Sequence, residues 1–378
     1  SNLFYLSDGE RKIEATGSGV QYMSMASIAV LGQIMEIYKS KAIAFSDLLY
    51  TTLDGKRYLP LVLSIDEPEV HLHPYLQRSL INYYKRILQN KDEEFAELLK
   101  NCFDIDGLSG QLIVVTHSTD ALIGDYRNLV RFYKNADKKT SVISGYSLRP
   151  IPGGDNRGRI KSEIEKHLIM RFPEIKEAFY SKCAILIEGE TEYGCIFDFA
   201  QKVGVSLDDN STCVINAGGE HSIQPIRQLL ELFAIPSVAI YDRDVEHGHT
   251  HSSDEFYTAE LCFEVEIVKS LYAAGKLDII KQIALDIDNR VSSMVLETNL
   301  IKGPFKKMGI SIDGYAPKKL SEVVDGNADE FCNMYSAWYM VKKGILLGRI
   351  VGDAVSAANV PPSYSSAILR AQEVAQNA

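Results

Sequence analysis

Long apolar runs are missing from this 378-residue chain. None approaches the ~20 residues that a membrane-spanning helix needs, so no such helix is expected. The segment Ser1 to Tyr5 has no basic stretch ahead of an apolar one, so no signal peptide is visible. The absent initiator Met suits a processed or cloned end. Cysteine is sparse: Cys102, Cys183, Cys195, Cys213, Cys262 and Cys332 form no CxxC pair. They read as reduced core thiols of a cytoplasmic protein. Tryptophan occurs once, and Trp338 reads as a packing residue rather than a base-stacking platform. Positive charge is in deficit, with 40 Lys and Arg against 50 Asp and Glu, a net charge of −10. A general polyanion-binding surface is therefore not the main feature. Nucleic acid is not excluded, because carboxylates reach a phosphate through a bound metal. The phosphate-cradling run GxxxxGK[ST] is absent as well.

What remains is ordinary globular material. The chain is 46% hydrophobic and 24% charged, which rules out a mostly disordered protein. Its length suggests two or three domains. Helical spacing predicts helices over 20–40 and 75–100. Buried-type strands are predicted at Leu61–Ile65 and Gln111–Val115, with further strands over 129–134 and 141–147. The run from Arg149 to Gly158, rich in Pro, Gly and charge, reads as a loop or linker, and a helical stretch over about 160–180 follows. Then come strand 183–187, helix 191–203, strand 212–216, helix 223–234 and strand 237–241, with mainly helix from about 260 on. Strands alternating with helices on short connections predict an α/β fold with a parallel sheet.

Two constellations carry chemistry. In the first, Leu61-Val62-Leu63-Ser64-Ile65 runs into Asp66-Glu67, then Pro68-Glu69-Val70-His71-Leu72-His73-Pro74. A strand ending in two acids suits phosphoryl transfer, which needs a held Mg²⁺ and an oriented nucleophile. Alone it is weak, since many buried strands end in acids. A second strand ends in Thr116-His117-Ser118, and Gly17-Ser18-Gly19-Val20-Gln21 opens a helix upstream, where backbone N–H groups can hold a phosphate. This order resembles the C-terminal part of an ABC-type P-loop ATPase head, in the branch with RecF-like and OLD (overcoming lysogenisation defect) proteins. The resemblance implies that Ser18, Gly19 and Gln21 form the signature reaching the γ-phosphate of an opposing protomer. It makes Asp66 and Glu67 the Walker B acids, Glu67 the base, and His117 the switch histidine. The missing GxxxxGK[ST] then implies an incomplete ATP site.

In the second, Ile185-Leu186-Ile187 leads to Glu188, with Glu192 about one helical turn on, and Ala239-Ile240-Tyr241 leads to Asp242-Arg243-Asp244. A lone DxD is ordinarily a solvated turn. Here four carboxylates converge on the carboxyl edge of a parallel sheet, where open α/β folds place their sites. They repel one another unless a cation sits among them, and oxygen ligands suit Mg²⁺ or Mn²⁺. The pattern resembles the Toprim fold. An ATPase head followed by Toprim is the arrangement of the OLD family, and the resemblance covers nearly the whole chain. It implies further metal ligands at Glu264 and Glu266, Glu266 being the safer transfer, and a catalytic lysine at Lys343, with Lys342 its rival. His247, His249 and His251 follow the DxD and read as a loop at the rim of the site.

The expected domains are 1–155 (ATPase head, C-terminal half), 156–180 (linker and helix), 181–260 (Toprim core) and 261–378 (a largely helical completion). The expected activity is a DNA endonuclease using two Mg²⁺ or Mn²⁺ ions, regulated by the ATPase head. Glu188, Asp242 and Asp244 would hold the principal metal and Glu192 and Glu266 support a second, with proton transfer an alternative role for Glu188. The family implies anti-phage defence, a dimer-based homo-oligomer, and a helicase or other defence partner. RNA cleavage and a non-catalytic ATP-gated clamp stand as alternatives. A topoisomerase or primase is disfavoured because their accessory parts are not recognised.

Overall fold

The computed structural model describes residues 7–8, 11–12, 18–40, 44–70, 72–135, 137–248 and 252–377. They form two compact units, Ser1–Ile123 and Gly124–Ala378.

The first unit contains α1 (Ser18–Lys39), β1 (Tyr50–Thr51), β2 (Arg57–Asp66), α2 (Pro74–Leu88), α3 (Glu93–Phe103) and β3 (Gly107–Val115). β2 and β3 run parallel in unbroken register, from Tyr58 opposite Gly107 to Asp66 opposite Val115. The two strand ends that carry Asp66 and Thr116 therefore lie side by side. Strand alternation turns Leu59 and Leu63 toward Ile34, Ile87, Phe95 and Leu99 of the helices. Val62, Ile113 and Val115 on the other face are exposed. The helix expected over 75–100 is two helices. Asn90 adopts a left-handed conformation at φ 56°, and Asp92 caps a new start by accepting from the Phe95 N–H at 3.2 Å.

The second unit begins earlier than the domain boundary expected at 155. The hairpin of β4 (Val130–Lys134) and β5 (Thr140–Ser144) belongs to it. Arg131 donates to the carbonyls of Phe233 and Ala234 at 2.6 and 2.9 Å. Tyr126 donates its hydroxyl proton to Glu165 at 2.9 Å. Beyond α4 (Ser162–Ile175), the chain alternates β6 (Cys183–Ile187), α5 (Glu190–Lys202), β7 (Thr212–Asn216), α6 (Glu220–Leu232) and β8 (Ser237–Tyr241). A further strand, β9 (Glu255–Tyr257), completes the sheet and has no counterpart among the expected elements.

All neighbours in this sheet are parallel, and the spatial order is β9-β8-β6-β7. Successive strands first add on one side of β6 and then on the other. Between β6 and β8 the winding reverses, which opens a crevice outside their carboxyl ends. Every residue of β6 is buried, as a strand with partners on both sides requires. The rest is mainly helical, with α7 (Phe263–Ala273), α8 (Leu277–Ile287), α9 (Thr298–Lys307), α10 (Ala328–Val341), α11 (Ile345–Ala354) and α12 (Pro362–Asn377). Trp338 is fully buried in their shared core, as a packing residue should be.

Glycines bring α11 against α5. Gly344, Gly348 and Gly352 recur every four residues, along one helical face. A Cβ on Gly348 would lie 1.9 Å from the Thr191 carbonyl oxygen, and one on Gly194 2.5 Å from that of Ile345. The Gly344 N–H donates to the Thr191 hydroxyl at 2.9 Å. This close approach sets where Lys343 stands. Gly348→Ala forces the helices apart and should lower stability by about 1–3 kcal/mol, the usual cost of overpacking. Chemical denaturation of the two proteins checks this, and an unchanged midpoint would refute the close-packing account.

Candidate active site

The first unit gathers Asp66, Glu67 and His117 at one sheet edge. Glu67 follows β2 with φ 46°, a left-handed conformation unusual for a non-glycine residue. Its N–H donates to the Val115 carbonyl at 2.8 Å. His117 Nε2 lies 3.6 Å from Glu67 Oε1. Glu69, not singled out by sequence, fastens the edge by accepting from the His117 N–H at 2.6 Å and the Thr116 hydroxyl at 2.8 Å. Partial burial opposes the charge on Glu69, yet these donors hold its carboxyl below the ordinary value. Ser18, Gly19 and Gln21 sit in the first turn of α1.

The second unit places acids at the crevice between β6 and β8. Glu188 leaves the end of β6 and Asp242 the end of β8. The Asp242 N–H donates to Glu188 Oε1 at 2.8 Å. Asp242 Oδ1 accepts from the Phe263 N–H at 3.1 Å, tying the start of α7 to the sheet. Glu192, on the first turn of α5, is buried with neither carboxylate oxygen hydrogen-bonded. Glu264, on the first turn of α7, is buried with Oε1 likewise unbonded. Lys343 Nζ stands 3.8 Å from that atom. Lys307 Nζ lies 3.0 Å from Asp244 Oδ2 and 3.9 Å from Asp242 Oδ2. Gly189 leaves room here, since a Cβ on it would meet Glu192 Oε2 at 3.1 Å.

Charge is poorly balanced in this site. Burial pushes Asp242 up to about 8, with the charges of Glu192 and Glu188 adding to it and Lys343 opposing. Burial pushes Glu192 up to about 7 against the pull of Lys343. Burial also raises Glu188, although the Asp242 N–H works the other way. Burial disfavours the charge of Lys343, but Glu264, Glu192 and Asp242 more than offset that and raise it. Buried carboxylate oxygens without partners beside further acids fit a divalent cation, which would supply the missing positive charge. As they stand, no three His, Cys, Asp or Glu side chains among the described residues converge tightly enough to hold one.

Several sequence expectations meet a different geometry. Glu264, ranked below Glu266, is the acid that faces Lys343. The Glu266 carboxylate accepts from the Ala259 N–H at 3.1 Å, and burial pushes it up to about 7. Lys342 turns away, 3.0 Å from Asp288 and 4.7 Å from the centre of the Trp338 ring. The His247 side chain, His249 and His251 lie outside the described residues. Lys307 was missed: as the second of two lysines ending a helix, it reads in the sequence as ordinary compensation of the helix dipole.

The raised carboxyls set a pH dependence. Asp242 keeps its proton in the fold between its ordinary 3.8 and about 8, while the unfolded chain has released it. Its contribution to metal-free stability is therefore greatest at low pH and falls as pH rises through that window. Asp242→Asn removes the titration. Its melting temperature relative to the native chain should climb from pH 5 to pH 8 in EDTA, and a constant difference would contradict the assignment.

Residues 179–244 match the family model for the Overcoming lysogenization defect protein-like TOPRIM domain, and residues 2–122 match that for an AAA ATPase domain. Endonuclease GajA of Bacillus cereus (strain HuB5-5) is 26% identical over 200 residues, covering 49% of this chain and 26% of that one. The OLD nuclease of Thermus scotoductus is 28% identical over 184 residues, covering 48% and 30%. The Old nuclease of Escherichia phage P2 is 24% identical over 246 residues, covering 62% and 34%. The chain thus spans a quarter to a third of the length of these relatives. The solved C-terminal region of the Xanthomonas campestris pv. campestris OLD protein covers 53% of this chain and 96% of its own, at 17% identity and a TM-score of 0.36. The chain is thus similar to OLD nucleases, with an ATPase model matching its first part and the OLD-like TOPRIM model matching residues 179–244.

Proposed function

We propose that this chain carries the catalytic unit of a metal-dependent DNA endonuclease, together with part of the ATPase that regulates it. The supporting observation is Glu192, buried with both oxygens unpartnered beside Glu188, Asp242, Glu264 and Lys343. A purely structural core has no use for that arrangement, and neither does a non-catalytic clamp. Glu188, Asp242 and Asp244 are the principal ligand set, Glu192 and Glu264 support a second ion, and Glu266 braces the Ala259 turn behind them. Bound Mg²⁺ or Mn²⁺ supplies Lewis acidity and positive charge at the scissile phosphate. Lys343 presents its ammonium where charge develops on the phosphate. Glu188, raised by burial, is placed to exchange a proton.

In the ATPase segment, Asp66 and Glu67 take the metal-holding and water-orienting roles, and His117 senses the γ-phosphate. Ser18, Gly19 and Gln21 serve the site of a second copy, which makes a dimer-based homo-oligomer part of this reading. A cytoplasmic role in anti-phage defence, with a helicase or other defence partner, follows from the family resemblance. Among the described residues no helix is long and apolar enough to cross a membrane.

Plasmid nicking and linearisation with Mg²⁺, Mn²⁺, Ca²⁺ or EDTA tests the proposal. Cleavage should require Mg²⁺ or Mn²⁺ and vanish in Asp242→Ala. Lys343→Met should lose about 100-fold or more, as removing one transition-state donor does elsewhere. Undiminished cleavage by Asp242→Ala would sink the assignment. Cleavage of structured RNA but not DNA would move the substrate while keeping the site.

A further inference from the structure

Lys307 enters the acidic site from outside the sheet. It is the last residue of α9, and its side chain is 38% exposed whereas that of Asp242 is 4% exposed. Its ammonium lies 3.0 Å from Asp244 Oδ2 and 3.9 Å from Asp242 Oδ2. These two oxygens belong to the D-x-D carboxylates that the proposed function assigns to a divalent cation. An ammonium is itself a compact hard cation on a flexible four-carbon stem. It neutralises one charge where a divalent ion would neutralise two.

We propose that Lys307 is a built-in competitor of the catalytic metal, a tethered cation that holds the D-x-D acids in the metal-free chain and must leave before a divalent ion can use them. The inference rests on the metal-site reading above. Two features support it beyond the distances. Lys307 ends its helix and is partly exposed, so rotation of its own side chain clears the site without moving α9. The other lysine, Lys343, faces Glu264 at 3.8 Å, whereas Lys307 faces the D-x-D carboxylates. The groups acting most strongly on Lys307 are Asp244, Asp242 and the buried Cys262 thiol. Lys307 is thus a positioning residue that sets the metal concentration at which the site fills.

Calorimetric titration of the full chain with MnCl₂, at one pH and one ionic strength, tests this without any cleavage assay. The proteins are the native chain, Lys307→Met, Lys307→Arg and Asp242→Ala, each checked by circular dichroism. Lys307→Met keeps the apolar stem and removes the charge. It should bind Mn²⁺ about two- to fivefold more tightly, the scale of one partly exposed ion pair. Lys307→Arg keeps the charge and should stay close to the native affinity. Equal or weaker Mn²⁺ binding by a folded Lys307→Met would overturn the competitor role while leaving the metal site intact. Binding that survives undiminished in Asp242→Ala, or is absent from every protein, would overturn the metal-site reading itself and the inference with it.

Discussion

The second unit is organised around negative charge that it does not neutralise. Glu188, Glu192, Asp242, Asp244 and Glu264 meet two ammonium groups, those of Lys307 and Lys343. Removing carboxylates from water without partners is among the costliest arrangements a fold can hold. The raised Asp242 and Glu192 carboxyls are the direct expression of that cost. The surrounding core must tolerate it, and its density around β6, α5, α7 and α10 to α12 fits that need.

Topology and glycine deliver the acids to one place. Reversal of strand winding at β6 and β8 puts the Glu188 and Asp242 backbones side by side, close enough for one to bond the carboxylate of the other. Helix starts then bring in the rest: Glu192 on the first turn of α5 and Glu264 on that of α7. A helix N-terminus favours negative charge, which offsets part of the repulsion. Lys343 arrives by another route, through the glycine face of α11 on α5. There a backbone contact, Gly344 N–H to the Thr191 hydroxyl, fixes the preceding residue. Positive and negative members of the site are therefore set by different packing contacts.

The sequence made the strand-end acids legible because the period of a strand and the position of its last residue need no knowledge of tertiary structure. Glu188, Glu192, Asp242 and Lys343, named from those patterns and the family resemblance, lie near one another at the crevice. Glu264 and Glu266 show where this stops. They are two residues apart at the start of a helix, about 200° around its axis, so they point to different surroundings. Only the placement of α7 decides which faces Lys343. Lys307 was illegible for a related reason: its partners lie more than sixty residues away, and nothing in Lys306-Lys307 marks one lysine as inward. The fourth strand, β9, is three residues long, below the length at which alternation carries a signal. The helical break at Asn90 could have been read from Gln89-Asn90-Lys91-Asp92, a polar interruption ending in a capping residue.

The two strand edges differ in a way that bears on how each could work. Glu67 and His117 leave 50% and 78% of their side-chain surface open to water, so charges placed between them are strongly screened. Glu192, Asp242 and Glu264 are almost entirely buried, where the same charges act with far greater effect. Phosphoryl chemistry gains most from groups held in a water-excluded site. On the proposed function, an edge as open as the first would act strongly on a phosphate only once a further surface covered it, so assembly would control nucleotide chemistry there. The acidic crevice, already buried, would need cations rather than cover, so cation occupancy would control phosphodiester chemistry in the second unit.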